Sequence, residues 1–318
     1  MRVRFWGTRG SIGVAMTSAE LRNKIAQALL QASGKTFGNL QEAYTYATNE
    51  LDFSLTHTFG GHTPCVELQT GSDEYFICDL GSGARPLGVN ILARQAGRPA
   101  TINVFMSHVH WDHIMGFPFF GPAYVPGSKI RIHSSHEIVE SAFHLQQCAP
   151  CFPVLFEQLA ANIEFVVVEP DKPFEVGGVK VTTHLQLHAG DSYGLRFEHG
   201  GKTVVYSTDS EYKLDDHKQV DEMTKFFKDA DMLIFDAMYT FADAISVKAD
   251  WGHSSNIVGV ELAEQAKVKH LVLFHHEPAN NDTALNRLLV ETRRYEELTR
   301  GDHQLQISAA YDGLELEA

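Results

Sequence analysis

The chain of 318 residues carries 26 Lys and Arg against 40 Asp and Glu, a formal net charge of −14, with 44% hydrophobic and 21% charged residues. These proportions exclude a disordered chain, and the acidic balance argues against a DNA or general nucleic-acid binder, because long nucleic acids are recruited through Lys and Arg contacts to phosphate. A small anionic substrate stays open, since a metal site is locally positive inside an acidic protein.

The pattern opens with a strand at VRFW (3–6) and the turn GTRGSIG. Leu21, Ile25 and Leu29 then recur at every fourth position, one face of a helix, and after Gly34 and Gly38 the stretch LQEAYTYATNEL reads as a second helix. Together, residues 18–53 form a helical insertion suited to a lid or a dimer contact. Paired strands follow at TPCVELQT and EYFICDLG, then the turn GSGA and a helix to about residue 96. TINVFMS is a buried strand, KIRIHS (129–134) another, and EIVESAFHLQQ a helix. In the second half IEFVVVE, VKVTTHLQLH, YGLRFEH and KTVVYSTDS are successive strands, and MLIFDAMY and HLVLFHHEP are later ones. A helix over about 254–267 separates those last two, and NRLLVETRRYEELT is the final helix.

No linker rich in Pro, Gly or Ser divides the chain, so residues 1–318 are expected to form one domain of two packed sheets with helices outside. No apolar run reaches the roughly 20 residues of a membrane-spanning helix. The opening MRVRFWGTRGSIG lacks the apolar centre of a secretory signal, so the expectation is a cytoplasmic protein with no membrane partner. Cys65 and Cys78 lie in strand-like stretches and read as core thiols. Cys148 and Cys151 have the spacing of a redox or zinc half-site, without a second cysteine pair to complete a zinc knuckle.

The densest chemical signal is SHVHWDH (107–113) at the end of the apolar run INVFM. His108 and His110, two apart after an extended strand, can converge on one point. Asp112 and His113, where the chain turns into a helix, can face a second point nearby. Imidazole and carboxylate without thiolate suit zinc or a similar first-row ion in a catalytic setting. The run resembles the HxHxDH signature of the metallo-β-lactamase superfamily. FWGTRGS, GGHTPC, CDLGSG, LHAGDSYGLRF, YSTDSEY, WGHSS and LFHHEP are similar to its phosphodiesterase-like branch, near ribonuclease Z and the cyclic-nucleotide phosphodiesterases.

That resemblance implies an α/β fold, a four-layer αββα sandwich, and two divalent metal ions, zinc first with manganese or iron as alternatives. One ion would be held by His108, His110 and His188 and the other by Asp112, His113 and His275, with Asp209 bridging. The residues add separate support: Asp209 and His275 each follow an apolar strand, and His188 ends an alternating one on the face of His184 and Gln186. Family register selects His275 over its neighbour His276, and His184 reads as a supporting or core histidine. Asp79 resembles an aspartate that braces the metal loop. His62 stands where relatives often have Asn.

Two divalent ions, two aspartates and one hydroxide sum to a single positive charge, which suits an anionic phosphodiester. The expected reaction is attack of a hydroxide held between the metals on phosphorus. His253 in WGHSS, similar to the GHS segment of the ribonuclease Z branch, is the candidate proton donor, with Ser254 or Ser255 capping the next helix, and Asp112 is counted as catalytic as well as a ligand. No basic, Gly-rich exosite for tRNA is recognisable, so a small phosphodiester such as a cyclic nucleotide is the expected substrate. The alternatives are a thioester or lactone hydrolase that would not need His253, a ribonuclease Z-like RNA endonuclease, and a non-catalytic module with a broken ligand set. Phe117, Phe119, Phe120 and Tyr124 read as core packing before base stacking. The resemblance also raises a homodimer, with the insertion supplying or blocking the interface.

Overall fold

Apolar runs and alternating stretches fold into fourteen strands among the described residues, 1–248 and 250–318, of the computed structural model. The first sheet holds β1 (Arg2–Gly7), β2 (Cys65–Gln69), β3 (Tyr75–Cys78), β4 (Thr101–Met106), β5 (Lys129–Ser134), β6 (Asn162–Val167) and the chain-end strand β14 (Glu315–Glu317), in the order β14-β1-β2-β3-β4-β5-β6. The second holds β7 (Phe174–Val176), β8 (Val179–Gln186), β9 (Ser192–His199), β10 (Lys202–Ser207), β11 (Met232–Asp236), β12 (His270–Phe274) and β13 (Gln306–Ala309), in the order β13-β12-β11-β10-β9-β8-β7. Each sheet is antiparallel over one half and parallel over the other: β3 through β6 run parallel, as do β10 through β13.

The helices are α1 (Ser18–Gln31), α2 (Leu40–Glu50), α3 (Phe53–Thr56), α4 (Ala84–Arg94), α5 (Trp111–Ile114), α6 (Val139–Gln146), α7 (His217–Phe227), α8 (Phe241–Ala244), α9 (Asn256–Gln265) and α10 (Asp282–Thr299). Strand alternation sorts side chains into three cores. Val204 and Tyr206 of β10 and Ile234 of β11 face Phe5, Val66 and Phe105 between the sheets. Their neighbours Val205, Leu233 and Phe235 pack beneath α7, α9 and α10. On the far side Ile77, Val104 and Ile132 bury Leu87 and Ile91 of α4 and Phe143 of α6. The result is the αββα sandwich that the sequence led us to expect.

Six elements go beyond the sequence reading: α3, β7, α7, α8, β13 and β14. The last is an exposed edge of three residues, ELE, without an apolar pattern to mark it. β8 pairs with β9 in unbroken register from Lys180 to Gln186, so His184 and Gln186 share a face as read, with Gln186 buried and His184 half-buried. His184 reaches none of the proposed ligands; its ring meets Asp171 at 2.6 Å and stacks on Phe226. The insertion is helical as read. Thr17 and Glu20 cap α1 reciprocally, and neither α1 nor α2 buries any residue.

A histidine in the sheet interface gives a first expected outcome. His133 of β5 is buried between Phe105 and Phe174, at centroid distances of 5.0 and 5.7 Å, with neither ring nitrogen hydrogen-bonded. Burial, with Arg131 nearby, pushes its pKa down to about 4. The unfolded chain takes up a proton near pH 6.5 and the folded chain does not, so stability is lost as pH falls from that value toward 4. His133→Phe is expected to remove this loss and to add about 1–2 kcal/mol at pH 5, read from urea midpoints at pH 5 and pH 7.5.

Candidate metal centre

The C-terminal ends of the parallel strands meet along one edge of the sandwich, where open α/β sheets bind ligands. Asp79 follows β3, the metal loop follows β4, Asp209 follows β10, Asp236 ends β11 and His275 follows β12. Asp79, Asp209 and His275 have left-handed backbone, with φ of 57°, 44° and 57°. Non-glycine residues in that region cluster at functional sites, where the surrounding structure holds the strain.

Ligand atoms of His108, His110, His188 and Asp209 lie within 4.8 Å of one another, as do those of Asp112, His113, Asp209 and His275. The seven residues proposed from sequence are thus brought together in two clusters that share Asp209. Its Oδ1 lies 3.1 Å from His113 Nε2 and 3.2 Å from His275 Nε2, and its Oδ2 lies 3.7 Å from Nε2 of both His108 and His188. His276 points elsewhere, donating to the Ala310 carbonyl at 2.7 Å. His62 reaches Ser82 at 3.2 Å and joins neither cluster, nor do Cys148 and Cys151, both free thiols.

The outer ring nitrogens of His188, His113 and His108 are already engaged. His188 Nδ1 donates to the Gly252 carbonyl at 2.7 Å, His113 Nδ1 to Asp79 Oδ2 at 2.7 Å, and His108 Nδ1 to Ser107 Oγ at 3.0 Å. That arrangement fixes the tautomer and turns the Nε2 lone pairs inward, the disposition of metal-ligating histidines. The buried Nε2 atoms of His108 and His113 have no hydrogen-bond partner. Orphaned buried nitrogens converging on carboxylate oxygens fit a divalent cation.

Electrostatics agree. Burial, reinforced by neighbouring histidines, holds His108, His110 and His188 below the ordinary histidine pKa, which keeps their lone pairs available. Burial works against ionising Asp112 and Asp209, yet the histidines around them hold both carboxyls well below the usual range. On His113, Asp209, Asp112 and Asp79 overcome burial and draw a proton onto the ring, and the same field attracts a cation.

Asp79 is fully buried and accepts from Ser107 N, Ser107 Oγ, His113 Nδ1 and Tyr206 Oη at 2.7–2.8 Å. Asp79→Ala is expected to weaken metal binding about 10–100-fold, measured by competition with a chelator, because His113 loses its orienting acceptor. Two glycines allow the close packing. A Cβ on Gly10 would come within 2.7 Å of the His275 ring, and one on Gly252, at φ 79°, within 2.6 Å of His188 Nδ1.

Sequence reasoning missed the supports of His253. Its Nδ1 donates to Asp236 Oδ2 at 2.8 Å, and its ring stacks on His275 at 5.1 Å. Burial lowers its pKa, but Asp236, Asp209 and Asp112 lift it to about 9. Asp236 closes the apolar strand MLIFD, the same signal that marked Asp209 in YSTD. Glu211, two residues beyond Asp209, accepts from Asp250 N and Gly252 N at 3.0 Å and so holds the segment that receives His188. Ser11 N donates to Asp112 Oδ2 at 2.8 Å. Ser255, not Ser254, caps α9, accepting from Val258 N. Of the aromatic run after the metal loop, Phe117 and Phe120 are buried in the core and Phe119 is exposed.

A family model described as a beta-lactamase superfamily domain matches residues 85–276. A probable metallo-hydrolase of Bacillus subtilis, YhfI, is 31% identical over 175 residues, covering 54% of this chain and 64% of its own length. The chain therefore spans less than two thirds of that relative in sequence. A ribonuclease Z of Picrophilus torridus is 25% identical over 238 residues, covering 60% of this chain and 73% of the relative. The crystal structure of YhfI superimposes with a TM-score of 0.65 at 19% identity, covering 100% of this chain and 98% of that one. A diphosphatase of the PhnP family does so at 0.60 and 20%, covering 100% and 97%. At these identities the superpositions speak for the fold, and the matched segment contains the metal loop, His188, Asp209, His253 and His275. With that fold around that segment, the chain belongs to the metallo-β-lactamase superfamily.

Proposed function

We propose that the chain is a two-metal phosphodiesterase acting on a small phosphodiester such as a cyclic nucleotide. The observation that carries this reading is the pair of donor clusters joined through Asp209, with His253 stacked against one of them. His108, His110, His188 and Asp209 would hold one ion, and Asp112, His113, His275 and Asp209 the other; a set of nitrogen and oxygen donors without thiolate favours zinc over softer ions. Divalent ions there would supply Lewis acidity toward phosphoryl oxygens and a lowered pKa for water.

The protein's own groups supply the rest. Asp236 holds the His253 ring by its Nδ1–H, which leaves Nε2–H as the donor to the leaving oxygen, and the proton is retained because the carboxylates raise its pKa. Ser11 N donates to Asp112 Oδ2, the oxygen that faces His113 Nε2 at 3.3 Å and His275 Nε2 at 3.4 Å, and so holds it toward the cluster. The names of two relatives, a ribonuclease Z and a PhnP-family diphosphatase, support phosphate-ester chemistry. The charge of −14 favours a small substrate over a long RNA.

The test is turnover of zinc-loaded protein on bis(p-nitrophenyl) phosphate, a panel of cyclic nucleotides, a thioester, a lactone and a precursor tRNA. Cleavage of the phosphodiester and of at least one cyclic nucleotide is the expected result. Turnover of the thioester or lactone alone would replace this reading with carbon-ester hydrolysis, and cleavage of the tRNA alone with RNA processing.

A further inference from the structure

A cavity of 410 Å³ has His253 in its wall and none of the seven proposed metal ligands. The His253 ring also lies against His188 and His275, with centroids 5.1 Å away in both cases. One histidine is thus shared between the donor clusters and a space beside them. The volume falls within the roughly 300–1,000 Å³ of small-ligand sites.

The wall is apolar over much of its extent. Leu214, Phe241 and Ala244 of α8, Ile245 just after it, and Val258 of α9 supply that surface. Phe241 is 37% exposed and Ile245 64%, so both leave apolar surface uncovered beside a polar centre. The buried polar side chains, in contrast, are already engaged. Tyr212 Oη donates to Gln186 Oε1, Ser254 Oγ donates to the Ser210 carbonyl, and Ser255 Oγ accepts from Val258 N. Glu211 accepts from two backbone N–H groups, and His253 Nδ1 donates to Asp236. What this wall still offers is the Nε2 of His253.

We propose that the cavity is the subsite for the group carried by the leaving oxygen, and that it takes an uncharged group with a flat, apolar body, such as an aryl ring or a nucleobase. This rests on the phosphodiesterase reading. His253 gives its proton to the leaving oxygen, so whatever that oxygen carries lies in the space on which His253 opens. A wall whose hydrogen bonds are already made rewards the burial of apolar surface and reads no pattern of donors and acceptors. A nucleoside would be held through the faces of its base, with little selection among bases.

Charge points the same way. Lys213 at the rim is outnumbered by Glu211, Asp215 and its ion-pair partner Asp250. A leaving group with a further phosphate, as in a longer RNA, would meet those carboxylates.

The experiment compares methyl phenyl phosphate with methyl 2-naphthyl phosphate as substrates of the zinc-loaded full chain. Both release phenols of similar acidity, and the second carries roughly 50 Å² more apolar surface. Wild type is expected to prefer the naphthyl ester about 10-fold in kcat/KM. In Phe241→Ala and in Ile245→Asp the preference should fall to about 2-fold or less, because the added ring loses its apolar wall. A ratio taken within one protein is not moved by lower metal content or incomplete folding of a variant. Equal rates on the two esters in wild type, or a preference that survives both substitutions, would overturn the subsite and leave the phosphodiesterase reading standing. Should neither ester turn over, that reading fails, and the subsite is tested without chemistry by saturation-transfer NMR of 2-naphthol. Binding to wild type that Ile245→Asp abolishes supports the subsite; absent binding, or binding that the substitution leaves intact, overturns it.

Discussion

Asp209→Ala is expected to abolish phosphodiester turnover, by at least about 10⁴-fold, and to release both metal ions together. No other residue belongs to both of the main clusters. Its two oxygens lie 3.1–3.7 Å from four inward-facing histidine nitrogens, and its left-handed backbone, φ 44°, aims the carboxylate between the two groups. Removing it would take from both proposed ion sites the donor they have in common, and leave the buried His113 and His275 with Asp112 as the one carboxylate between them. The variant should also lose most of the stabilisation that zinc gives wild type, because an ion that binds only the folded state stabilises in proportion to its affinity. Metal analysis by mass spectrometry and melting curves with and without zinc check both parts. Loss of turnover with two ions still bound would assign Asp209 a role other than bridging.

His253→Ala is expected to behave differently: phosphodiester turnover falls about 10²–10⁴-fold while both ions stay bound. His253 belongs to neither main cluster; it forms a third group with Asp236 and His275, and its Nδ1 is committed to Asp236. Only a reaction that expels a poor leaving group needs its proton. Bis(p-nitrophenyl) phosphate, with its acidic leaving group, should therefore lose less than a cyclic nucleotide does, and a thioester should lose least. Asp236→Asn should reproduce part of the loss, since the ring keeps an acceptor but loses the charge that holds its proton. Equal losses on all three substrates would make His253 a structural support of His275, on which it stacks at 5.1 Å.

Much of the scaffold was legible because both of its signals are local. Continuous apolar runs such as INVFM and HLVLF mark buried parallel strands, and a polar residue immediately after such a run stands out against it. That contrast supported Asp209 and His275, which the family resemblance had named, and it was equally present at Asp236, where it passed unread. Glu211 and Ser11 gave no such signal: they act through backbone contacts between segments far apart in sequence, 39 residues for Glu211 with Asp250 and 101 for Ser11 with Asp112. Alternation placed His184 on the face of Gln186, but it does not tell that Phe226 of α7 and Asp171, rather than a ligand, meet the ring. Helix periodicity at 18–53 correctly located α1, but a helical face tells which residues lie together and not what covers them. The face made by Leu21, Ile25 and Leu29 is turned outward.

The most direct test of the two-metal site is zinc stoichiometry against activity. Metal-free protein would be titrated with zinc while bound metal and hydrolysis of bis(p-nitrophenyl) phosphate are followed together. The site described here calls for two ions per chain, with activity absent in metal-free protein and complete only at the second equivalent. Saturation at one ion, or full hydrolysis without metal, would contradict it.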